Sequence, residues 1–159
     1  MSKELRCDRI ELVRNIAATL LESTADESMK ASAYVHLFGV GEFCVMLAMQ
    51  RGEDVELAAS AGYLHDIASY TTGDVVDHAH RSAAMARDIL HKADIFDDEE
   101  LEKICSAIYH HSEKQVKHGP LEELVKDADV LQHCLFYPGY VSRNEKPRYE
   151  MLRRELKLL

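Results

Sequence analysis

Residues 61–70 read AGYLHDIASY, and two polar residues, His65 and Asp66, stand side by side where an apolar helical run ends. The hydrophobic residues before the pair, with Ile67 and Ala68 after it, predict that both side chains are buried. A buried, ionised carboxylate without a partner is costly. We therefore expect Asp66 to have either a hydrogen-bonded partner or a metal ion.

Composition limits the class of protein. The chain has 159 residues, enough for one domain that buries roughly two-thirds of its unfolded surface. Its four cysteines are widely spaced without a C-x-x-C pair, which is typical of reduced core thiols. With 28 acidic and 19 basic residues, the net charge of -9 argues against nucleic acid or an anionic membrane as partner and favours a small ligand. Its apolar stretches are shorter than the roughly 18 residues of a membrane span, and the N-terminus lacks a signal-peptide core, so we expect a cytoplasmic protein.

Helical periodicity dominates the chain. Glycine occurs at only seven positions and proline at three, and no two alternating segments predict a hairpin. We predict an all-α fold, a single compact bundle of about six to seven helices that forms one domain over residues 1–159. The last helix either packs on the bundle or builds a homodimer interface. The expected helices cover residues 8–23, 29–50, 55–67, 78–92, 98–112, 120–136 and 147–158.

Several helix ends carry local signals. Asp97 is a predicted N-cap, and Glu100 three residues later completes a capping box. Gly52 ends the second helix and Asp54 caps the third. Pro120 suits the first turn of the sixth helix.

Helical phase, at about 100° per residue, predicts which polar side chains face the core. His36 shares a stripe with Val40, Phe43 and Leu47, the spacing of a buried face. In three later helices the same argument turns one polar residue inward and a close neighbour outward. The inward residues are His78, His111 and Asp129. The outward residues are His80, His110 and Asp127.

Five helices therefore bring polar side chains to an inner face that is otherwise apolar. Four imidazoles and two carboxylates suit Fe, Mn, Zn or Ni, and they exceed what one tetrahedral zinc uses, so a two-metal centre is a reasonable expectation. The alternative is a set of unrelated core histidines, each of which would need its own hydrogen-bonding partner. The residues concerned are His36, His65, Asp66, His78, His111 and Asp129.

This ordered set resembles the HD superfamily of metal-dependent phosphohydrolases, which is named after the adjacent His-Asp pair. The resemblance covers about residues 30–135, and the framing of the motifs is similar as well: AYVHLFGV, AGYLHDIASY, HAHRSAAMARDIL, AIYHHSEK and VKDADVLQH. It implies that the pair ends a helix at the metal, where two consecutive side chains reach one ion.

The resemblance also implies individual roles. The ligands of the first metal would be His36, His65, Asp66 and Asp129. His78 and His111 match two further histidines that some branches use for a second metal and others for phosphate.

Two departures from the family pattern argue against particular branches of the HD superfamily. HDIASY lacks the acidic pair that follows the HD motif in the alarmone hydrolases, and HHSEKQVKHG lacks the Gly-Tyr-Pro signature of the cyclic-di-GMP phosphodiesterases. The small bacterial HD phosphohydrolases, including those acting on dinucleoside polyphosphates, remain compatible.

The implied reaction is hydrolysis of a small phosphate ester or nucleotide. One or two divalent transition metals, with Fe or Mn favoured over Zn, Ni, Co or Mg, would lower the pKa of a water and give a hydroxide that attacks phosphorus. Asp66 would orient this nucleophile, and Lys114 is a candidate for binding the phosphate. His133, one turn after Asp129, could hydrogen-bond a ligand. The loop after the HD motif could offer the hydroxyls of Tyr70, Thr71 and Thr72 to a substrate.

Two other functions stay open. A non-catalytic HD module would bind a metal or nucleotide for regulation, although the sequence shows no attached output domain. An HD-type di-iron oxygenase would use a similar ligand set for dioxygen chemistry.

Overall fold

A computed structural model describes residues 8–24 and 26–158, and within them it contains helices and no β-strand. The all-α fold class is therefore confirmed, and each of the seven predicted helices has a counterpart. In chain order the elements are α1 Asp8–Glu22, α2 Glu27–Ala33, a π-helical segment Tyr34–Phe38, α3 Gly39–Arg51, α4 Val55–Leu64, α5 Ile67–Thr72, α6 His78–Ala93, α7 Asp98–His110, α8 Pro120–Phe136 and α9 Lys146–Glu155.

Two of the predicted helices differ from the observed ones. The helix expected over 29–50 contains the π-helical segment, for which sequence periodicity has no signal. The helix expected over 55–67 ends at Leu64, because the backbone of Asp66 leaves the helical region with φ -119° and ψ 16°. A short helix, α5, then occupies part of the stretch expected to be a loop.

The predicted local end signals are confirmed. The carboxylate of Asp97 accepts a hydrogen bond from the Glu100 backbone N–H at 2.8 Å, and the Glu100 carboxylate accepts one from Asp97 N–H at 3.1 Å. Asp54 caps α4, and Gly52 ends α3 in the left-handed region with φ 72°. Pro120 is the first residue of α8.

Helix α4 forms the centre of the bundle and packs against α1, α3, α7 and α8. All of its residues from Leu57 to Leu64 are buried. A Cβ atom on Gly62 would lie only 2.8 Å from the Cα of Gly41, so these two glycines allow α3 and α4 to approach to backbone contact. The close approach positions the π-helical segment beside the end of α4.

Helix α9 packs on α8 through the buried side chain of Leu152. It also supplies Arg148, whose Nη1 contacts the Oδ1 of Asp127 at 2.7 Å, while Arg51 Nη1 contacts the other oxygen at 2.8 Å. The prediction that Asp127 points to solvent is wrong, because this residue is only 7% exposed. Helical phase treats one helix at a time. It therefore cannot predict that a later helix, here α9, covers the outer face of α8. The homodimer stays a prediction.

Buried thiols and one long apolar helix complete the core. Cys44, Cys105 and Cys134 are free and buried, while Cys7 lies outside the described residues. The continuous helix Glu27–Arg51 is long and apolar enough to cross a membrane by length and composition alone. Of its most apolar 18-residue window, 44% is buried inside the bundle.

Candidate metal centre

The structure brings all six predicted ligand residues together. His36 lies in the π-helical segment, and the two residues of the HD pair occupy the break between α4 and α5. His78 begins α6, His111 directly follows the last residue of α7, and Asp129 lies in the middle of α8. Four of the six are deeply buried: His65 at 0%, His111 at 1%, Asp129 at 5% and His36 at 7% exposure.

The carboxylate of Asp66 lies between two pairs of imidazoles. Its Oδ1 is 3.2 Å from His111 Nε2 and 3.6 Å from His78 Nε2. Its Oδ2 is 3.6 Å from His36 Nε2 and 3.7 Å from His65 Nε2. One carboxylate thus lies within reach of both histidine pairs, and these residues could hold a divalent metal ion.

Asp129 forms the other acidic corner of the centre. Its Oδ1 lies 3.4 Å from His36 Nε2 and 3.7 Å from His65 Nε2, while its Oδ2 accepts a hydrogen bond from Lys114 Nζ at 2.5 Å. The Nε2 atoms of the two histidines are 3.0 Å apart. His65 of the HD pair therefore lies close to Asp129, which comes from a distant helix.

Hydrogen bonds at Nδ1 orient three of the rings. His65 donates to the carbonyl of Gly62, and His111 donates to the carbonyl of Ile108, both at 2.7 Å. The Nδ1 of His36 lies 2.8 Å from the side-chain oxygen of Gln132. Because a neutral imidazole that donates from Nδ1 keeps a lone pair on Nε2, these partners turn basic nitrogens toward the centre.

Two buried carboxylate oxygens in the centre lack a hydrogen-bonding partner: Asp66 Oδ1 and Asp129 Oδ1. Such atoms are costly to bury in an ionised group. They face imidazole nitrogens that also hold lone pairs, including the close Nε2 atoms of His36 and His65. A divalent cation would satisfy all of these atoms together, and a mixed nitrogen and oxygen donor set suits a transition metal.

The pKa values of His65, Asp66 and Asp129 agree with this fit, whereas at His36 the effect of burial is outweighed by Asp66 and Asp129, which raise the pKa. Burial lowers the pKa of His65 to about 3, so this ring is neutral near pH 7. Burial alone would raise the pKa of Asp66, but the imidazoles of His65 and His111 outweigh it and hold the pKa well below the ordinary value. Burial is likewise outweighed at Asp129, where Lys114 and His65 lower the pKa. Ionised carboxylates and a neutral imidazole are the forms that bind metals.

The predicted neighbours of the centre are arranged as follows. Lys114 is engaged on both sides, with Asp129 and with the carbonyl of His111 at 2.7 Å. The hydroxyls of Thr71 and Thr72 donate to backbone carbonyls one turn earlier in α5, so both are engaged within their own helix. Tyr70 lies nearer the centre, its ring 6.1 Å from that of His36 and its pKa raised to about 12 by burial and by Asp66.

Two outward histidines lie away from these six residues. His80 stacks on a tyrosine ring, and His110 contacts Glu113 at 3.2 Å on the far side of α7. Glu113 is also 3.2 Å from His118, whose other nitrogen contacts the buried Lys126 ammonium at 2.6 Å. This second cluster is satisfied internally by hydrogen bonds, unlike the centre.

Sequence reasoning did not assign the roles of Gln132 and Glu145. Phase places Gln132 on the inner face of α8, and that signal was available, but its contact with His36 depends on how two helices pack. Glu145 lies before α9 and contacts His133 Nδ1 at 2.9 Å. No local sequence pattern predicts this contact.

Comparison with known proteins agrees with the fold and with the family resemblance. The family model for the HD domain matches residues 33–133. The chain is also similar to a crystal structure of a predicted HD superfamily hydrolase from an uncultured Thermotogales bacterium. The two share 22% identity and a TM-score of 0.60, over 92% of this chain and 88% of that chain. Among curated proteins, no match was found.

The chain therefore belongs to the HD superfamily, a family of metal-dependent phosphohydrolases. HD domains bind divalent metals, and the clustered histidines and aspartates described above are the candidate ligands in this chain.

Proposed function

We propose that this protein hydrolyses a phosphate ester bond of a small substrate with one or two divalent metal ions. The observation that carries the proposal is the pair of unpartnered buried oxygens, Asp66 Oδ1 and Asp129 Oδ1, facing imidazole Nε2 atoms. Buried polar atoms are mostly hydrogen-bonded, and the two further unpartnered ones among the described residues, Glu56 Oε1 and Arg148 Nε, lie outside the centre. The incomplete pairing of Asp66 Oδ1 and Asp129 Oδ1 supports a cation as the missing partner.

The donor geometry favours two ions over one. His36 and His65 face Oδ2 of Asp66, whereas His78 and His111 face Oδ1. The first pair, with Asp66 and Asp129, would hold one ion, and the second pair, with Asp66, would hold the other. Fe and Mn suit this mixture best, and Zn, Ni, Co and Mg are alternatives for the metal screen.

Bound ions would supply an activated water for attack on phosphorus and would stabilise negative charge on the phosphoryl oxygens. The chain itself would orient the reactants. Asp66, central among four histidines, would position the attacking water. His78, whose side chain is 33% exposed, forms the open edge where substrate would enter.

Lys114 is proposed to act mainly through Asp129. Its ammonium offsets the carboxylate charge and ties the segment after α7 to α8. The direct binding of phosphate by Lys114 stays a prediction, and it would use the third N–H of the ammonium. Tyr70, beside His36, is the better placed hydroxyl for a substrate.

The substrate class proposed is a small phosphate ester or a nucleotide, with dinucleoside polyphosphates included. A net charge of -9 disfavours a long polyanion. The regulatory module and the di-iron oxygenase are the alternatives, and both would use the same donor atoms. No arrangement of the described residues favours either of them over hydrolysis.

The decisive experiment combines elemental analysis of the purified protein with a screen of nucleotides and phosphate esters in Mn, Fe, Co, Ni and Mg. We expect bound transition metal and release of phosphate or a nucleoside phosphate from at least one substrate. The Asp66→Ala variant serves as the inactive control. Metal-replete protein that hydrolyses none of the substrates but consumes oxygen with an organic substrate would establish the oxygenase instead.

A further inference from the structure

His133 lies at the exposed edge of the metal centre. It follows Asp129 by one helical turn on α8, so both side chains project from the same face. Its ring stacks on that of His36, with centroids 4.8 Å apart and planes inclined by 15°. The side chain is 45% exposed, unlike those of the deeply buried histidines.

A hydrogen bond at Nδ1 fixes the orientation of the His133 ring. Nδ1 lies 2.9 Å from Oε1 of Glu145, and the other oxygen of Glu145 accepts a hydrogen bond from Ser142 Oγ at 2.5 Å. An ionised carboxylate only accepts hydrogen bonds, so Nδ1 carries the proton in this contact. In the neutral ring Nε2 then holds the lone pair.

The Nε2 atom lies close to the centre. Nε2 of His133 is 3.9 Å from Oδ1 of Asp129, one of the two unpartnered buried oxygens in the centre. His65 Nε2 lies at a comparable 3.7 Å from the same oxygen. A histidine that donates one ring N–H to a carboxylate and turns the other nitrogen to a cation site has the arrangement of a metal ligand.

We infer that His133 is an additional metal-binding side chain, oriented by Glu145, that shares the Asp129 corner with His36. The inference rests on the proposed metal centre and extends it to residues outside the six-residue set. Of the proposed ligands, His133 has the most exposed side chain, at 45% against 33% for His78. The competing explanation is that His133 only packs on His36.

The test titrates chelator-treated, full-length protein with Co²⁺, using calorimetry for affinity and the visible spectrum of bound Co²⁺ for ligand geometry. For His133→Ala we expect one ion to bind about 10- to 100-fold more weakly, with a changed visible spectrum. Glu145→Gln should weaken binding in the same direction, because a side-chain amide can donate to Nδ1 and move the ring proton to Nε2.

His80→Ala is the matched control. His80 is similarly exposed, at 40%, and contacts an acidic partner, Asp77, at 2.7 Å, but it lies outside the centre. Its variant should bind Co²⁺ as the wild type does. Thermal unfolding of each variant without metal shows whether the fold is retained.

The possible outcomes test the role of His133 separately from the existence of the metal centre. If His133→Ala binds Co²⁺ with wild-type affinity and spectrum while His65→Ala binds poorly, the inference is overturned and the metal centre stands. If the wild type binds no Co²⁺, Mn²⁺ or Fe²⁺, the metal centre itself is overturned and the inference with it.

Discussion

Asp127 and Asp129 lie two residues apart on α8 and are almost equally buried, at 7% and 5% exposure, yet their surroundings differ. Both oxygens of Asp127 contact arginines, Arg148 at 2.7 Å and Arg51 at 2.8 Å. Asp129 has one cation, Lys114, on Oδ2, and its Oδ1 has no hydrogen-bonding partner.

The difference teaches that burial of a carboxylate does not by itself mark a functional site. At Asp127 the chain supplies enough positive charge, and the cluster ties α9 and the end of α3 to α8. At Asp129 the chain supplies histidines with lone pairs instead of a second cation. Incomplete pairing of the carboxylate, more than its burial, separates Asp129 from Asp127, although Arg148 Nε beside Asp127 also lacks a hydrogen-bonding partner.

The largest expected effect is at the centre. Asp66→Ala should abolish both metal retention and hydrolysis, because this carboxylate faces all four histidines of the set. Elemental analysis and the phosphate-release assay measure the two losses. Asp127→Asn should retain metal, and equal metal loss in both variants would contradict the distinction between the two clusters.

The second prediction concerns the number of ions. His78→Ala or His111→Ala should reduce bound metal from about two ions per chain toward one and remove most activity, because a two-metal reaction needs both. If these histidines only bind phosphate, metal content should stay near one while the Michaelis constant rises. A wild type that saturates at one ion per chain in excess Fe or Mn would exclude the two-metal form.

The third prediction addresses the structural cluster. Asp127→Ala should lower the free energy of unfolding by about 3 kcal/mol, because it leaves the buried Arg148 guanidinium with less compensation. Urea unfolding of metal-free protein measures this change. Metal binding by the folded variant should be near the wild-type value. A variant that loses metal but keeps full stability would reverse the assignment of the two aspartates.

The smallest effect is expected at the rim of the same cluster. Glu155 contacts Arg51 at 2.7 Å, but both side chains are partly exposed, at 33% and 23%. Glu155→Gln should therefore cost only about 0.5 kcal/mol of unfolding free energy, and added salt should reduce the difference. A loss as large as that of Asp127→Ala would show that the rim and the buried pair act as one unit.

Sequence alone predicts features that depend on residues of a single helix, such as its caps and its buried face. The capping box at Asp97 depends on neighbours three residues away, and the inward phase of His36 depends on its own stripe. The burial of Asp127 could not be predicted in this way, because its partners come from positions 21 residues later, in α9, and from the end of α3. The Glu145 contact with His133 is tertiary in the same sense.

The π-helical segment Tyr34–Phe38 makes the centre sensitive to chain length as well as to chemistry. A π turn accommodates one more residue than an α turn. Deleting a single residue there would restore regular α-helix and rotate the two flanking parts by about 100° relative to each other. Substituting a residue such as Val35, which is 45% exposed, would leave that register unchanged. A designer who transplants this ligand set onto straight helices would have to copy the extra residue together with the histidines.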